Sequence, residues 1–537
     1  MGQKQIMEHA SKHFFKDYSN TNNFALNAGE LQSRVKLSIQ LTNANGTSYS
    51  YKAFDLSKQT NNLLVQSDDN PSRAGVVKFN TVFIMEYFFE REQPLMIEVL
   101  KNKSIKSTFK VTLGSIVGSR KNTLSKKLAD NMEETIVIQA SELKNNKQYV
   151  QLAFEVPSQG LDYRNPKNLI YFEIHKETKL YQSETISHQG TFQVLNVPIE
   201  LIEGQFQILF YNSKGRVTYI LAKTAHELSG MYDQTFVVPL SHRRNMTLKH
   251  KSKIKQNYTF IDYLQSGVQI GLGIAIDFTG SNGHPRDQGT LHYISPGVPN
   301  GYERAIMSCG NIIAYYDYDQ MFPVYGFGAV VPGEAQASMC FNLNMQQDPH
   351  ICTINEVINA YHNVVFQLTF SGPTYFSAIL EKTISMIRYE NDNLKYNILL
   401  ILTDGIINDM DKTIDLLVQG AKLPLSVIIV GIGKANFDNM MVLDADDEPL
   451  VSSTGEKSAR DLVQFVPFSK FEGNAEALAR EVLEEIPKQV LEFYDMIGIA
   501  PNLNANNNNN NNNVQHSQPS MGQGAGQNQY PAMEDLQ

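Results

Sequence analysis

The 537-residue chain has no tryptophan and only three cysteines, Cys309, Cys340 and Cys352. An odd, sparse set without paired spacing gives no disulfide framework and points to a reducing compartment. Long apolar runs are missing too. None approaches the ~18–20 residues of a membrane-spanning helix, and the polar start, Met1 to Asn20, has no apolar signal core. These absences lead to the expectation of a cytoplasmic protein whose membrane contacts are peripheral. Excess positive charge is also absent: 46 Lys and Arg face 55 Asp and Glu, a net charge of −9, which argues against nucleic acid as a partner. His284, His292 and His362 lack metal-ligand spacing, so nothing points to zinc.

What is present divides by texture. Up to about residue 255, short alternating stretches such as Val35 to Ile39, Leu95 to Leu100, Val150 to Phe154 and Phe206 to Phe210 are separated by Gly, Asn and Ser turns. Period-two patterning of this kind reads as antiparallel β, and the length suits two β-sandwiches of about 110–130 residues each. From about 256 the pattern becomes strand, helix, strand, helix. Strands are expected over 268–276, 322–330, 396–403, 425–432 and 461–466, and helices over 300–317, 353–368, 374–390, 410–421 and 474–496. This alternation predicts a doubly wound α/β sheet. Beyond Asn502 an asparagine run, Asn506 to Asn513, precedes Gln, Gly, Ser and Pro; such a composition cannot bury a core and reads as a disordered tail.

The candidate site lies in the α/β part. The buried run Val268 to Ile276 ends in Asp277-Phe278-Thr279-Gly280-Ser281, and the run Ile398 to Leu402 ends in Thr403-Asp404-Gly405. Gly372-Pro373-Thr374 opens a helix between them. In strand order 3-2-1-4-5-6 the first and fourth strands are neighbours, and ligands bind at their carboxyl ends. Asp277 and Asp404 would then face each other, with Thr279, Ser281 and Thr374 nearby. Two close carboxylates repel unless a cation lies between them. Hard oxygen donors suit Mg²⁺, Mn²⁺ or Ca²⁺. Taken alone, Asp-x-Thr-x-Ser reads more readily as hydroxyls capping a helix; the three motifs in order favour a metal.

The constellation resembles the metal-ion-dependent adhesion site of von Willebrand factor A domains. Its surroundings resemble the copine family more narrowly: Tyr258 to Tyr263, Ala275 to Gly283, Leu291 to Pro296, Gly372 to Phe376, Leu423 to Gly431 and Asp461 to Phe468. The resemblance runs from about 258 to 499. It implies a flexible N-terminus over 1–25, C2-type β-sandwiches over 26–135 and 136–255, an A domain over 256–499, and a tail over 500–537. It further implies a non-enzymatic adaptor at the plasma membrane or intracellular membranes. Such an adaptor binds anionic phospholipid in response to Ca²⁺ and recruits protein partners through an A-domain site holding Mg²⁺ or Mn²⁺ on Asp277, Thr279, Ser281, Thr374 and Asp404.

The sandwich loops depart from that family pattern. C2 domains gather aspartates on two loops at one end. Here Asp55 stands near one expected loop, while the other, Leu100 to Lys103, carries lysines; in the second sandwich, Asp162 stands opposite Phe210 to Lys214. Ca²⁺ takes about 6–8 oxygens, so weak Ca²⁺ binding is expected, with Asp55 and Asp162 as residual ligands and Asp68 and Asp69 in reserve. Lysines and arginines offer another route to anionic lipid, each worth about 1 kcal/mol near the surface. One set is Lys101, Lys103, Lys106 and Lys110; the other is Arg243, Arg244, Lys249, Lys251, Lys253 and Lys255. The competing reading is an ordinary solvated face. Gly2 raises N-myristoylation, but Ile6 stands where Ser or Thr is wanted. Two alternatives remain: a metal-dependent phosphotransferase using Asp277, which has Thr279 where a second acid is needed, and a scaffold whose A domain works without metal.

Overall fold

The computed structural model describes residues 33–45, 48–57, 61–129, 133–143, 148–155, 170–186, 192–212, 214–241, 244–256, 258–444 and 448–503. Asp162, Arg243, Gly2, the first 25 residues and the tail beyond 503 lie outside these, as does the side chain of Arg244.

The alternating stretches form two β-sandwiches. In Ser33–Thr42 the side chains of Val35, Leu37, Ile39 and Leu41 point inward and their neighbours outward, the period of two that buries one face of a strand. That strand lies in a five-stranded sheet, which faces a four-stranded sheet containing Tyr49–Asp55 and Pro94–Lys101. The second sandwich has its own core. Phe154 makes edge contacts with Phe172, Phe192, Phe210 and Phe236 at centroid distances of 5.4, 6.5, 5.3 and 6.0 Å.

The third region is a seven-stranded sheet with helices against it. Its main strands are β1 (Gln269–Asp277), β2 (Met321–Phe327), β3 (Phe341–Asn342), β4 (Lys395–Thr403), β5 (Leu425–Gly431) and β6 (Val463–Pro467), in order 3-2-1-4-5-6 with β3 antiparallel to β2. Strands β4 and β5 are buried along almost their whole length, as befits parallel strands covered on both faces. The helices are α1 (Phe260–Gln265), α2 (Gly301–Ile313), α3 (Ile354–Val365), α4 (Ser377–Glu390), α5 (Met410–Gly420), α6 (Asp438–Leu443), α7 (Ala475–Leu483) and α8 (Ile486–Ile497).

Several boundaries differ from the sequence expectation, four of them with a visible consequence or cause. The helix expected over 474–496 is two helices, because Pro487 sits in the first turn of α8, where its missing N–H costs nothing. The helix expected over 374–390 starts at Ser377. The one expected over 300–317 stops at Ile313, freeing Tyr315 and Tyr316 for other contacts. The strand expected over 322–330 breaks at Gly328, whose φ is +80°; a Cβ there would lie 2.3 Å from Thr279 Cγ2.

Tyr315 and Tyr316 join the first sandwich to the third region, so that the two share one hydrophobic core. The Tyr87 and Tyr316 hydroxyls are 2.6 Å apart in a buried contact, and Phe89 packs edge-on against Phe260 at 5.1 Å. Tyr315 donates to Glu92 at 2.8 Å, and the Arg120 guanidinium lies 5.3 Å from the Tyr318 ring centroid. The junction meets the amino ends of the sheet, since Ile270 N at the start of β1 donates to Tyr316 O. Asp277, seven residues further on, is roughly 23 Å away at about 3.3 Å per residue.

Close approach at this junction depends on Gly118, where a Cβ would lie 2.2 Å from the carbonyl oxygen of Tyr315. Gly118→Ala should therefore part the two bodies. In a thermal melt we expect a midpoint lower by several degrees. Gly230→Ala is the control, with nothing within 4 Å of its Cβ position, and should melt like wild type.

Candidate metal centre

Parallel register pairs Ile276 with Leu402 and so sets Asp277, the last residue of β1, beside Thr403, the last of β4. Asp404 follows in the next position. Asp277, Thr279, Thr374 and Asp404 are 0%, 3%, 5% and 6% exposed, while Ser281 is open to solvent. The site is thus a buried acidic pair with one hydroxyl at its mouth.

Each carboxylate is held by hydrogen-bond donors. Asp277 Oδ1 accepts from Thr279 N at 2.8 Å, and Oδ2 accepts from Thr403 Oγ1 at 2.5 Å. Asp404 Oδ1 accepts from Ser281 Oγ at 2.9 Å and Asn282 Nδ2 at 2.8 Å. Thr279 Oγ1 and Ser281 Oγ are 3.2 Å apart. Thr374 arrives on a separate loop that is tied to the segment after Asp404. Its N–H donates to Asn408 Oδ1 at 2.8 Å, and its carbonyl accepts from Asn408 N at 2.9 Å. Asp409 accepts from the Phe376 and Ser377 amides at 3.1 and 2.9 Å, fixing the entry to α4. A Cβ at Gly405 would stand 2.9 Å from Thr374 Oγ1 and 3.6 Å from Asp277 Oδ2, so these oxygens flank a space that only glycine leaves open. All five residues named from the sequence therefore converge.

Burial pushes both acids above the usual carboxylate range. For Asp277 the hydrogen bonds from Thr403 and Thr279 oppose that shift. Asp404 is pushed up to about 7, first by burial and then by the negative charge of Asp277. A divalent cation relieves such a pair, and hard oxygens fit Mg²⁺ or Mn²⁺. Underneath, His292 is wholly buried, its Nε2 2.8 Å from the Asp277 carbonyl oxygen and its Nδ1 2.7 Å from the Tyr361 hydroxyl. Burial lowers its pKa to about 3, so it is a neutral strut beneath the site.

The sequence reading gave no donor or ligand role to Asn282, Tyr302, Thr403, Asn408 or Asp409. Asn282 and Thr403 directly adjoin motif residues, but their donor roles depend on tertiary contacts that no spacing reports.

The first sandwich requires a correction. Asp55 and the Lys101 to Lys103 loop do not share an end. Asp55 pairs with Leu95 and Tyr49 with Lys101, so the two lie at opposite ends of one strand pair, about 20 Å apart at ~3.4 Å per residue. The Asp55 carboxylate instead accepts from Ser57 N and Ser57 Oγ at 2.8 and 2.6 Å, a local turn. The acid near Lys101 is Glu134. It accepts from Tyr49 OH at 2.8 Å and Asn45 N at 3.3 Å, and pairs with Lys101 and Lys106 at 3.5 and 2.6 Å. Burial alone would raise its pKa, yet Lys106, Tyr49 and Asn45 hold it down to about 2. Lys103 and Lys110 are exposed, as is Ile105 at 58%. Asp68 and Asp69 are exposed beside the Tyr49 end.

In the second sandwich, Asn212 Oδ1 accepts from the amides of Lys214 and Arg216 at 3.0 and 3.2 Å, closing a hairpin. Among the described residues of the basic run there, three lysines are paired. Lys249 and Lys251 both meet Asp233, the former at 3.0 Å, and Lys255 meets Asp495 of α8 at 2.7 Å. Lys253 is exposed. Among the described residues no three His, Cys, Asp or Glu side chains form a metal cluster.

Comparison with known proteins gives three kinds of match. A family model described as Copine matches residues 290–502. Copine-D of Dictyostelium discoideum is 33% identical over 467 residues, covering 79% of this chain and 87% of that protein. Among solved structures, the SpRpn10 VWA domain aligns at TM-score 0.27 and 12% identity, covering 40% of this chain and 95% of its own. Manganese-loaded Plasmodium vivax TRAP protein aligns at TM-score 0.26 and 14% identity, covering 42% and 74%. A pair of C2 domains from Extended-Synaptotagmin 2 aligns at TM-score 0.17 and 10% identity, covering 42% and 93%.

The raised pKa of Asp404 has a signed consequence. An acid whose folded pKa exceeds its unfolded value near 3.8 favours folding most when protonated, so its contribution falls as pH climbs from about 4 through about 7. In chelator, the wild-type melting temperature should fall across that window relative to Asp404→Asn. Parallel curves for the two proteins, each measured from pH 4 to 8, would remove the basis for the assignment.

Proposed function

The chain belongs to the copine family, and on that premise we propose that it is a non-enzymatic adaptor that binds anionic phospholipid membranes peripherally and holds a protein partner through a Mg²⁺- or Mn²⁺-dependent site. The convergence of Asp277, Thr279, Ser281, Thr374 and Asp404 at the carboxyl ends of β1 and β4 carries the reading, since it gathers hard oxygens around two acids that need a cation. On this view residues 26–135 and 136–255 are the C2-type sandwiches and 256–499 the A domain. Asp277, Thr279, Ser281, Thr374 and Asp404 would hold the ion, which would supply positive charge for an acidic group on the partner. A phosphotransferase needs a general acid near the nucleophile, and Thr279 at that position offers only a hydroxyl, which favours binding over group transfer.

The membrane end is proposed at the first-sandwich tip, around Lys103 and Ile105. There an exposed cation stands next to an exposed aliphatic side chain. Lys101 and Lys106 are committed to Glu134. Two ammonium groups already occupy the acid that a Ca²⁺ ion would seek, which supports weak Ca²⁺ dependence. The tip and the metal site lie on opposite sides of the Tyr87 and Tyr316 junction, so lipid and partner need not compete for one surface.

Sedimentation with anionic vesicles tests this. Binding should persist in chelator and fall steeply as the Debye length shrinks from about 10 Å at 0.1 M salt to about 3 Å at 1 M. It should drop several-fold for Lys103→Glu combined with Ile105→Asp. A many-fold rise on adding micromolar Ca²⁺ would instead make Asp68 and Asp69 the first candidates for ligands. Equal sedimentation with neutral vesicles would overturn the electrostatic reading.

A further inference from the structure

Beneath the metal site lies a chain of donors that the motif residues do not explain. Tyr302, in the first turn of α2, is wholly buried, and its hydroxyl donates to Asn282 Oδ1 at 2.5 Å. A side-chain amide whose oxygen is claimed in this way must present its nitrogen on the other side. Asn282 Nδ2 donates to Asp404 Oδ1 at 2.8 Å and lies 3.3 Å from the Thr279 carbonyl oxygen. Asn282 is itself 1% exposed, so water does not compete for either end. The position of Tyr302 is secured in turn by stacking on His292, with ring centroids 4.1 Å apart.

We infer that Asn282, oriented by Tyr302, is a positioning residue for the cation: it fixes the rotation of the Asp404 carboxylate before metal arrives. The inference rests on the metal reading proposed above. Asp404 sits beside Asp277, and left to itself a carboxylate turns away from a like charge. Asn282 and Ser281 both hold Oδ1. Among the described residues no side chain donates to Oδ2; the residue's own backbone N–H also hydrogen-bonds the carboxylate, and Oδ2 is the oxygen we assign to the cation. A neutral amide suits this position. A lysine or arginine would neutralise the acid that must attract the ion, and an aspartate would add repulsion with no proton to donate. A flipped Asn282 would set its oxygen against Asp404 Oδ1, and Tyr302 anchors the unflipped amide by donating to Asn282 Oδ1.

Mn²⁺ binding to the full-length chain, followed by electron paramagnetic resonance of the free ion, tests this. Wild type, Asn282→Ala, Tyr302→Phe and the double variant would be compared, with melting curves in chelator to show that each is folded. Asn282→Ala should bind Mn²⁺ about tenfold more weakly, the low end of the ~10–100-fold seen on removing partners of metal ligands. Tyr302→Phe should lose less, and the double variant should match Asn282→Ala, because Tyr302 acts only through Asn282. Wild-type affinity in Asn282→Ala would overturn the inference and leave the metal reading standing. Additive losses in the double variant would overturn the role given to Tyr302. Failure of the wild-type chain to bind Mn²⁺ would overturn the metal reading itself.

Discussion

The α/β region is organised around an electrostatic conflict. Parallel pairing of β1 with β4 brings Asp277 and Asp404 to one place, and burial denies them the water that would screen their repulsion. Thr279, Thr403, Ser281 and Asn282 all donate to these two groups. Neutral donors lower the cost of two close acids without cancelling their charge. Gly405 and Gly328 fit the same scheme, since a side chain at either would collide with Thr374 or Thr279.

At the first-sandwich tip the same problem has a different answer. Glu134 is satisfied by two lysines of its own chain, and a resident ammonium stands where an acidic loop would call for a metal. One protein thus handles buried acids in two ways: with fixed cations in the sandwich, and with neutral donors that leave room for an ion in the α/β region. The tyrosines that follow α2 connect the two bodies. Tyr302 at the start of that helix reaches Asn282 beneath Asp404 and Tyr316 just past its end reaches the first sandwich, so a single helix touches both.

Strand order in the α/β region was legible because buried parallel strands are long apolar runs and their ends carry the motif residues. The five oxygen donors followed from that order. The supporting residues were not legible: Asn282, Asn408 and Asp409 are ordinary loop residues until folding brings a carboxylate or an amide to them. Which loops share an end of the first sandwich was not legible for a related reason. Short antiparallel strands carry little information about which turns share an end, and Asp55 looked like a ligand until the register of Tyr49–Asp55 on Pro94–Lys101 put it at the far end. The basic run from Lys249 to Lys255 looked continuous in sequence, but Asp233 and Asp495 pair with most of it.

The central claim is that Asp277 and Asp404 await a divalent cation. Melting temperature with and without Mg²⁺, for wild type and Asp277→Asn, tests it most directly, because an ion that binds only the folded state must raise the wild-type midpoint. A clear rise on Mg²⁺ addition is expected in wild type and none in Asp277→Asn, with the variant at least as stable as wild type in chelator. Equal Mg²⁺ responses in the two proteins would contradict it.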